Sequence, residues 1–159
     1  MGRSNMVLSI GLAIILGIFV QVLFVFADTQ DSPNKAAVEF TRAYFAFDKA
    51  VMSDRLCENS KVVEDVDVVG TYVYDAMQEA NARGYSLGCY VKNKIYHLET
   101  ETISEDHEKA QIRLTAERKS PIRSFFSKGD IHEVEEVFEI VKEDGKWKVC
   151  GNPFSLSGV

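Results

Sequence analysis

Apolar residues form one continuous run at the start of the chain and periodic patterns in the rest. Residues 6–27 contain no charged side chain, and every acidic residue lies after them. At about 1.5 Å per helical residue, such a run spans the roughly 30 Å hydrocarbon layer of a bilayer. The pattern therefore predicts a transmembrane signal-anchor at residues 1–27, a short linker at 28–34 and a folded domain at 35–159.

The flanks of this run predict its orientation. Arg3 precedes the run and Asp28 follows it, so the positive-inside rule places the N-terminus in the cytoplasm and the domain on the periplasmic, or extracytoplasmic, side of an inner membrane. The sequence before Asp28 also fits a signal-peptidase site, which leaves a cleaved signal and a domain secreted to the periplasm as the alternative. The run stays apolar up to Ala27, which favours the uncleaved anchor.

The first helix of the domain has a clear start and one apolar stripe. Ser32 and Pro33 are typical of a helix N-terminus, since Ser caps free N–H groups and Pro suits the first helical position. Spacings of three and four residues then predict a helix that ends near Met52. Its stripe consists of Ala37, Phe40, Tyr44, Phe47 and Val51.

A second helix is predicted from about Asp65 to Arg83, with Gly84 as its C-terminal stop. Gly70 weakens the start of this helix, because glycine is a poor helix former. A separate short helix over Lys61–Val69 is therefore the alternative.

After Gly84 the period of apolar residues falls to about two, which predicts strands. Glu105-Asp106 and Glu143-Asp144-Gly145 provide turn signals between them. The pattern predicts an α+β domain in which helices pack on one face of a curved antiparallel meander. The predicted strands are Leu87–Ile103, Ala110–Glu117, Ile131–Val141 and Lys146–Cys150.

Charge and motif content exclude several function classes. The formal net charge of −6 disfavours nucleic-acid binding, which depends on clustered basic residues. The sequence contains no Gly-rich phosphate loop and no nucleophile motif, so no cofactor is predicted.

The helix-then-meander order, together with the closing hairpin KEDGKWKV at 142–149, resembles the nuclear transport factor 2-like (SnoaL-like) superfamily over most of Pro33–Pro153. The resemblance implies a cone-shaped domain with a pocket between its long first helix and a bent sheet. Some members are isomerases or dehydratases, and many only bind ligands or partners. The residues expected to line the cone and bind a ligand are Phe40, Tyr44, Phe47 and Phe138.

The resemblance also implies where catalytic groups would lie. Catalytic members use a carboxylate or His base with Tyr or Asp proton donors, and the candidates here are Glu136, His97, Tyr44 and Asp48. Glu136 is the strongest candidate base, because it is in phase with core residues of its strand. The favoured alternative is that a strand slip or bulge places Glu136 in water beside the other glutamates of its strand. No motif of the catalytic members matches residue by residue, so a non-catalytic function is favoured.

His97, Glu99 and Glu101 share one face of a predicted strand and could ligate a divalent cation. Alternating polar residues on the solvent face of a strand explain the same spacing without a metal. No metal site is therefore predicted.

The chain contains three cysteines, and an exported domain lies in an oxidising compartment where disulfides form. In a four-strand meander Cys89 and Cys150 would lie about 14 Å apart, which is too far for a disulfide. A Cys57–Cys150 disulfide is the preferred prediction, and Cys57–Cys89 is the alternative.

The connection Arg118–Asp130 interleaves basic and aromatic residues in an otherwise acidic domain. Arg123, Phe125, Phe126 and Lys128 are therefore candidates for a partner-binding or membrane-facing surface. The alternative is that the two phenylalanines cover one end of the core.

These observations favour a membrane-tethered, extracytoplasmic, non-catalytic domain that binds a partner protein or a small apolar ligand. The first alternative is a pocket isomerase or lyase that uses acid–base catalysis. The second is a structural subunit of an envelope complex, in which aromatic residues would fill the cone.

Overall fold

The computed structural model describes residues 3–90, 94–119 and 132–152. The helices of these residues are Arg3–Thr29 (α1), Pro33–Ala46 (α2), Lys49–Arg55 (α3), Glu58–Lys61 (α4), Val68–Ala82 (α5) and Leu87–Tyr90 (α6). The strands are Val62–Val63 (β1), Val66–Asp67 (β2), Lys94–Glu105 (β3), Lys109–Lys119 (β4), His132–Glu143 (β5) and Lys146–Cys150 (β6). The chain divides into two compact units, Met1–Asp31 and Ser32–Val159.

The first unit consists of α1, whose described side chains between Ile10 and Leu23 are largely exposed and apolar. Within the described part of the chain, none of the helices combines the length and the apolar character that a membrane crossing requires. The predicted transmembrane helix over residues 6–27 is therefore not supported by these residues.

The first helix of the second unit begins as predicted but ends early. The Ser32 side chain caps α2 by accepting a hydrogen bond from the Lys35 N–H at 3.2 Å. The predicted continuation to Met52 is wrong, because Phe47 adopts a left-handed conformation (φ 56°) that stops the helix. Asp48 then caps a separate helix, α3, by accepting hydrogen bonds from the Ala50 and Val51 N–H groups.

The second predicted helix is shorter than expected at its start. It begins at Val68, where Asp67 caps α5 by accepting a hydrogen bond from the Gly70 N–H at 2.9 Å. Residues 58–67 form the short helix α4 and a small β1–β2 hairpin, so neither the long helix nor the Lys61–Val69 helix is correct. Gly84 follows the helix end with φ 76°, which confirms it as the predicted stop.

The sheet confirms the predicted meander. Its strands are antiparallel in the order β3-β4-β5-β6, and Asp144 and Gly145 both have positive φ in the tight turn before β6. The predicted strand from Leu87 is wrong at its start, because α6 occupies Leu87–Tyr90 and β3 begins at Lys94.

The main core lies between α2 and one face of the sheet. On β4 the side chains of Ala110, Ile112, Leu114 and Ala116 are buried, while those of Gln111 and Thr115 are exposed. This alternation is the predicted pattern of a strand with one buried and one solvated face. The second unit is therefore an α+β domain with helices packed against an antiparallel sheet.

Candidate functional site

Aromatic side chains fill the space between α2 and the sheet. Phe40, Tyr44 and Phe138 are almost completely buried, and the rings of Phe40 and Phe138 meet edge to face at 6.0 Å between centroids. Such packing is typical of a protein core. Three of the four predicted ligand-lining residues are therefore core residues in this structure.

The fourth, Phe47, lies at the end of α2 and is half-buried. Its ring is 5.7 Å from that of Tyr72 on α5, which in turn stacks on Tyr44 at 4.4 Å. The Tyr72 hydroxyl donates a hydrogen bond to the Tyr44 carbonyl oxygen at 3.2 Å. This stack fixes α5 to α2 and covers the end of the aromatic core.

The four predicted catalytic residues lie in different environments. Glu136 is half-buried on β5, where it pairs in register with Leu114 and shares the core-facing phase of Phe138. Asp48 is exposed and caps α3, whereas Tyr44 is buried. Among the described residues, no hydrogen bond or ion pair joins any two of Glu136, His97, Tyr44 and Asp48.

His97 lies in an irregular part of β3. The pairing between β3 and β4 shifts register between Tyr96 and Glu99, and His97 has φ 46°. Its Nδ1 is 3.1 Å from Glu117 Oε2, and its side chain is 71% exposed. The register shift makes β3 irregular at His97, so the spacing of His97 to Glu99 and Glu101 is not that of a regular strand.

The face of the sheet turned away from α2, called the outer face below, is acidic. Arg113 links two strands on this face, since its guanidinium is 2.8 Å from Glu101 and 3.3 Å from Glu135. Val137 is an exposed apolar residue among these charges. The exposed glutamates of the outer face are Glu99, Glu101, Glu133, Glu135 and Glu139.

An open groove of about 390 Å³ lies beside the β3–β4 turn rather than under α2. Asp106 in this groove accepts hydrogen bonds from the Glu108 and Lys109 N–H groups at 2.8 and 2.7 Å. These bonds hold the pKa of Asp106 below its usual value. The Asp106 carboxylate therefore stabilises the turn.

A covalent and ionic cluster lies along β6. Cys57 and Cys150 form a disulfide with Cα atoms 5.1 Å apart, which confirms the preferred pairing. The buried Lys148 ammonium is 3.2 Å from Glu143 Oε2 and 3.5 Å from Glu58 Oε1. Burial alone would lower the pKa of Lys148, but the hydrogen bond and charge of Glu143, aided by Glu58, raise it instead.

The sequence did not predict that Lys148 forms ion pairs with two glutamates or that Tyr72 stacks on Tyr44. Lys148 is a basic residue in a short strand, and nothing local indicates that acidic groups from two other elements surround it. Val69, Val73 and Met77 form an apolar stripe along this helix, and Tyr72 lies next to that stripe rather than in it. An aromatic residue at the edge of such a stripe is the signal that could have identified it.

Two predictions fall outside the described residues. The basic and aromatic positions Arg123, Phe125, Phe126 and Lys128 are not described. Cys89 belongs to α6 and not to a strand, and its side chain is likewise not described.

No protein-family model matches the sequence, and no curated protein matches it. Among solved structures, the chain is similar to a 2.00 Å crystal structure from Campylobacter jejuni, described provisionally as an NTF2-like transpeptidase. The similarity has a TM-score of 0.49 and 14% sequence identity, and it covers 77% of this chain and 100% of the other. A match at this level assigns neither family nor activity to this chain.

Proposed function

We propose that residues 35–159 form a nuclear transport factor 2-like domain that is non-catalytic and acts by binding a partner protein. One observation supports this most directly: Phe40, Tyr44 and Phe138 occupy the region where a pocket enzyme of this type would hold its substrate. A protein-binding domain needs no such pocket, because protein partners bind to exposed surfaces. The second alternative, a structural subunit of an envelope complex, is also compatible with an interior filled by aromatic residues.

The outer face is the proposed binding surface. It carries several glutamates around the exposed Val137, and potentials of one sign attract surfaces of the opposite sign. The partner is accordingly a protein with a basic surface that accommodates an apolar side chain at its centre.

The domain is proposed to be held at the extracytoplasmic side of a membrane by residues 6–27. The exposed apolar side chains of α1, among them Ile14, Leu16 and Phe19, support this placement, because such side chains are unfavourable in water. The Cys57–Cys150 disulfide also suits an oxidising compartment. Membrane fractionation with N-terminal sequencing tests the proposal, and a soluble mature protein starting at Asp28 would contradict it.

The filled interior can be tested with a small apolar probe. Titration of the full chain in detergent with benzene, followed by NMR of the aromatic and methyl signals, should show no saturable binding site inside the native domain. Phe40→Ala should create such a site, since an apolar cavity of this kind binds benzene. Saturable binding by the native chain would instead favour the ligand-binding alternative.

The binding surface can be tested by photo-crosslinking in the cell that makes the protein. A crosslinker at Val137 should give one dominant protein adduct, whereas a crosslinker at Tyr74, which is exposed on α5, should not. The captured protein, purified separately, should bind the full chain and lose at least tenfold in affinity with Val137→Asp. Equal capture at both positions, or unchanged affinity, would rule out the outer face.

One observation favours the enzymatic alternative. Glu136 is half-buried and core-facing, which is a suitable environment for a general base. If a substrate is found, Glu136→Gln should abolish turnover without unfolding the protein, and Glu133→Gln on the exposed part of the same strand should not. If Glu136→Gln leaves turnover unchanged, Glu136 is not the catalytic base and the enzymatic alternative loses its strongest candidate residue.

A further inference from the structure

Three potential metal ligands converge beside the last strand. The Sγ atoms of Cys57 and Cys150 and a carboxylate oxygen of Glu143 lie within 4.8 Å of one another. We propose that these three side chains bind a Zn²⁺ ion when the disulfide is reduced, so that this part of the domain alternates between a disulfide and a metal site. The proposal does not depend on the partner-binding function.

The ligand chemistry fits zinc better than a hard cation. Two thiolates and one carboxylate provide the sulfur and oxygen ligands that Zn²⁺ accepts at about 2.3 and 2.0–2.2 Å in tetrahedral sites. In such a geometry two thiolate sulfurs lie about 3.8 Å apart. This distance is close to the sulfur–sulfur contact distance of two reduced cysteines, and a water molecule completes the coordination.

Hydrogen bonds hold Cys57 beside β6 independently of the sulfur–sulfur bond. The Cys57 N–H donates to the Val149 carbonyl at 2.9 Å, next to a parallel bridge between Leu56 and Val149. The Gly151 N–H donates to Ser60 Oγ at 3.0 Å. These contacts keep both ligand-bearing segments together after reduction, which lowers the entropic cost of forming the site.

Glu143 is already oriented for the same purpose. Its Oε2 accepts hydrogen bonds from Lys148 Nζ and from the Glu58 N–H, each at 3.2 Å. The second carboxylate oxygen can therefore ligate the ion while Oε2 keeps these partners. Hydrogen bonds of this type orient metal ligands and commonly change metal affinity by about 10–100-fold.

Reduction requires a dithiol reductant, such as a thiol oxidoreductase of the same compartment. One thiolate of the reductant attacks the half-buried Cys150 sulfur, and Cys57 leaves as a thiolate and takes up a proton. The second reductant thiol then displaces Cys150, so that the reductant becomes a disulfide and the domain gains two thiols. Binding of Zn²⁺ releases the two thiol protons.

Cobalt titration provides the test, because tetrahedral thiolate-bound Co²⁺ has characteristic visible and near-ultraviolet absorption. The full chain carrying Cys89→Ser, reduced with a phosphine in detergent, should bind one Co²⁺ with thiolate charge-transfer bands, and Zn²⁺ should displace it. The oxidised chain should give no such bands. Glu143→Gln should weaken binding at least tenfold, whereas the matched control Glu133→Gln should leave it unchanged.

Two kinds of result would overturn the proposal. One is a reduced, folded chain that gives no stoichiometric thiolate-bound Co²⁺, or one that binds equally well with Glu143→Gln. The other is loss of the folded circular dichroism spectrum on reduction at 25 °C, because the proposed site requires that hydrogen bonds hold β6 and residues 56–60 together without the disulfide.

Discussion

The two edges of the sheet are protected in different ways. At the β6 edge, Leu56 forms a parallel bridge with Val149, and the Cys57–Cys150 disulfide and the Lys148 ion pairs add covalent and ionic links. At the β3 edge, no further strand pairs within the described residues. That edge instead has two shifts in the β3–β4 register, one between Tyr96 and Glu99 and one between Thr102 and Ser104. The backbone of His97 also adopts a left-handed conformation there.

The two edges show two ways to prevent an edge strand from pairing with another chain. An unpaired strand exposes N–H and C=O groups that can pair with another chain. Covering the edge, as at β6, ties it to the domain and adds stability. Irregular backbone with acidic side chains, as at β3, discourages pairing but provides little stability of its own. Variants at the β6 edge should therefore have larger effects than variants at the β3 edge.

The largest effect is expected from removing the disulfide. The chain carrying Cys57→Ser and Cys150→Ser together should lose about 2–5 kcal/mol in its free energy of unfolding, because the bridge closes a long loop with a sequence separation of 93 residues. Urea unfolding in detergent measures the loss. Cys89→Ser is the control for thiol number, and an equal loss there would contradict the assignment of the effect to this bridge.

Lys148→Met should have the next largest effect. The variant leaves the half-buried Glu143 carboxylate without the ammonium that contacts it, which should cost about 1–3 kcal/mol. Adding Glu143→Gln should recover part of this loss in a double-mutant cycle. Lys146→Met removes the exposed pair with Asp54, and it should cost less than about 1 kcal/mol.

The effect of Lys148→Met should also depend on pH. The Lys61 hydrogen bond, with the charges of Lys61 and Lys148, holds the pKa of Glu58 below its ordinary value of 4.5. A lowered carboxyl pKa gives stability that is present above the ordinary value and is lost as the pH falls through the folded value.

The raised pKa of Lys148 gives stability that is lost only as the pH rises above its ordinary value of 10.5. The deficit of Lys148→Met should therefore be constant from about pH 6 to 9 and should shrink below about pH 4. Measuring the free energy of unfolding of both proteins across this pH range tests whether the deficit shrinks in acid. A deficit that grows in acid would mean that the ion pairs are not its cause.

A similarly small effect is expected at the β3 edge. His97 has φ 46°, a conformation that disfavours residues with a Cβ atom by about 1–2 kcal/mol. His97→Gly should therefore be more stable than His97→Ala by about 1 kcal/mol, since both variants lose the contact with Glu117. Equal stabilities would mean that the backbone relaxes at this position.

Sequence periodicity predicted the elements whose burial is regular. The alternation in β4, the Asp144-Gly145 turn and the Ser32 cap are local signals, and each has the predicted position in the structure. The predicted helix and strand bounds are wrong where two local signals indicate different structures. Phe47 continues an apolar stripe, yet its backbone ends α2, and the apolar character of Leu87 does not distinguish a strand from the short helix α6.

The candidate sites were harder to predict, because they depend on contacts between distant residues. The Cys57–Cys150 disulfide was predicted correctly, although the prediction assumed that Cys89 lies in the first strand of the meander, whereas Cys89 belongs to α6. The group formed by Lys148, Glu58 and Glu143 could not be predicted, because it combines α4, β5 and β6. Whether Phe40 and Phe138 line a pocket or fill it also depends on their mutual distance, which a sequence pattern does not specify.

The position of the disulfide has a consequence for a chain that is cut. Cys57 and Cys150 enclose α4 to β6 in one covalent ring, while α1, α2 and α3 precede it. A single cleavage of any peptide bond inside the ring leaves both fragments joined through sulfur. The C-terminal fragment then stays attached to the polypeptide that carries α1, so a single cut by a protease inside the ring does not release β6 from the N-terminal segment.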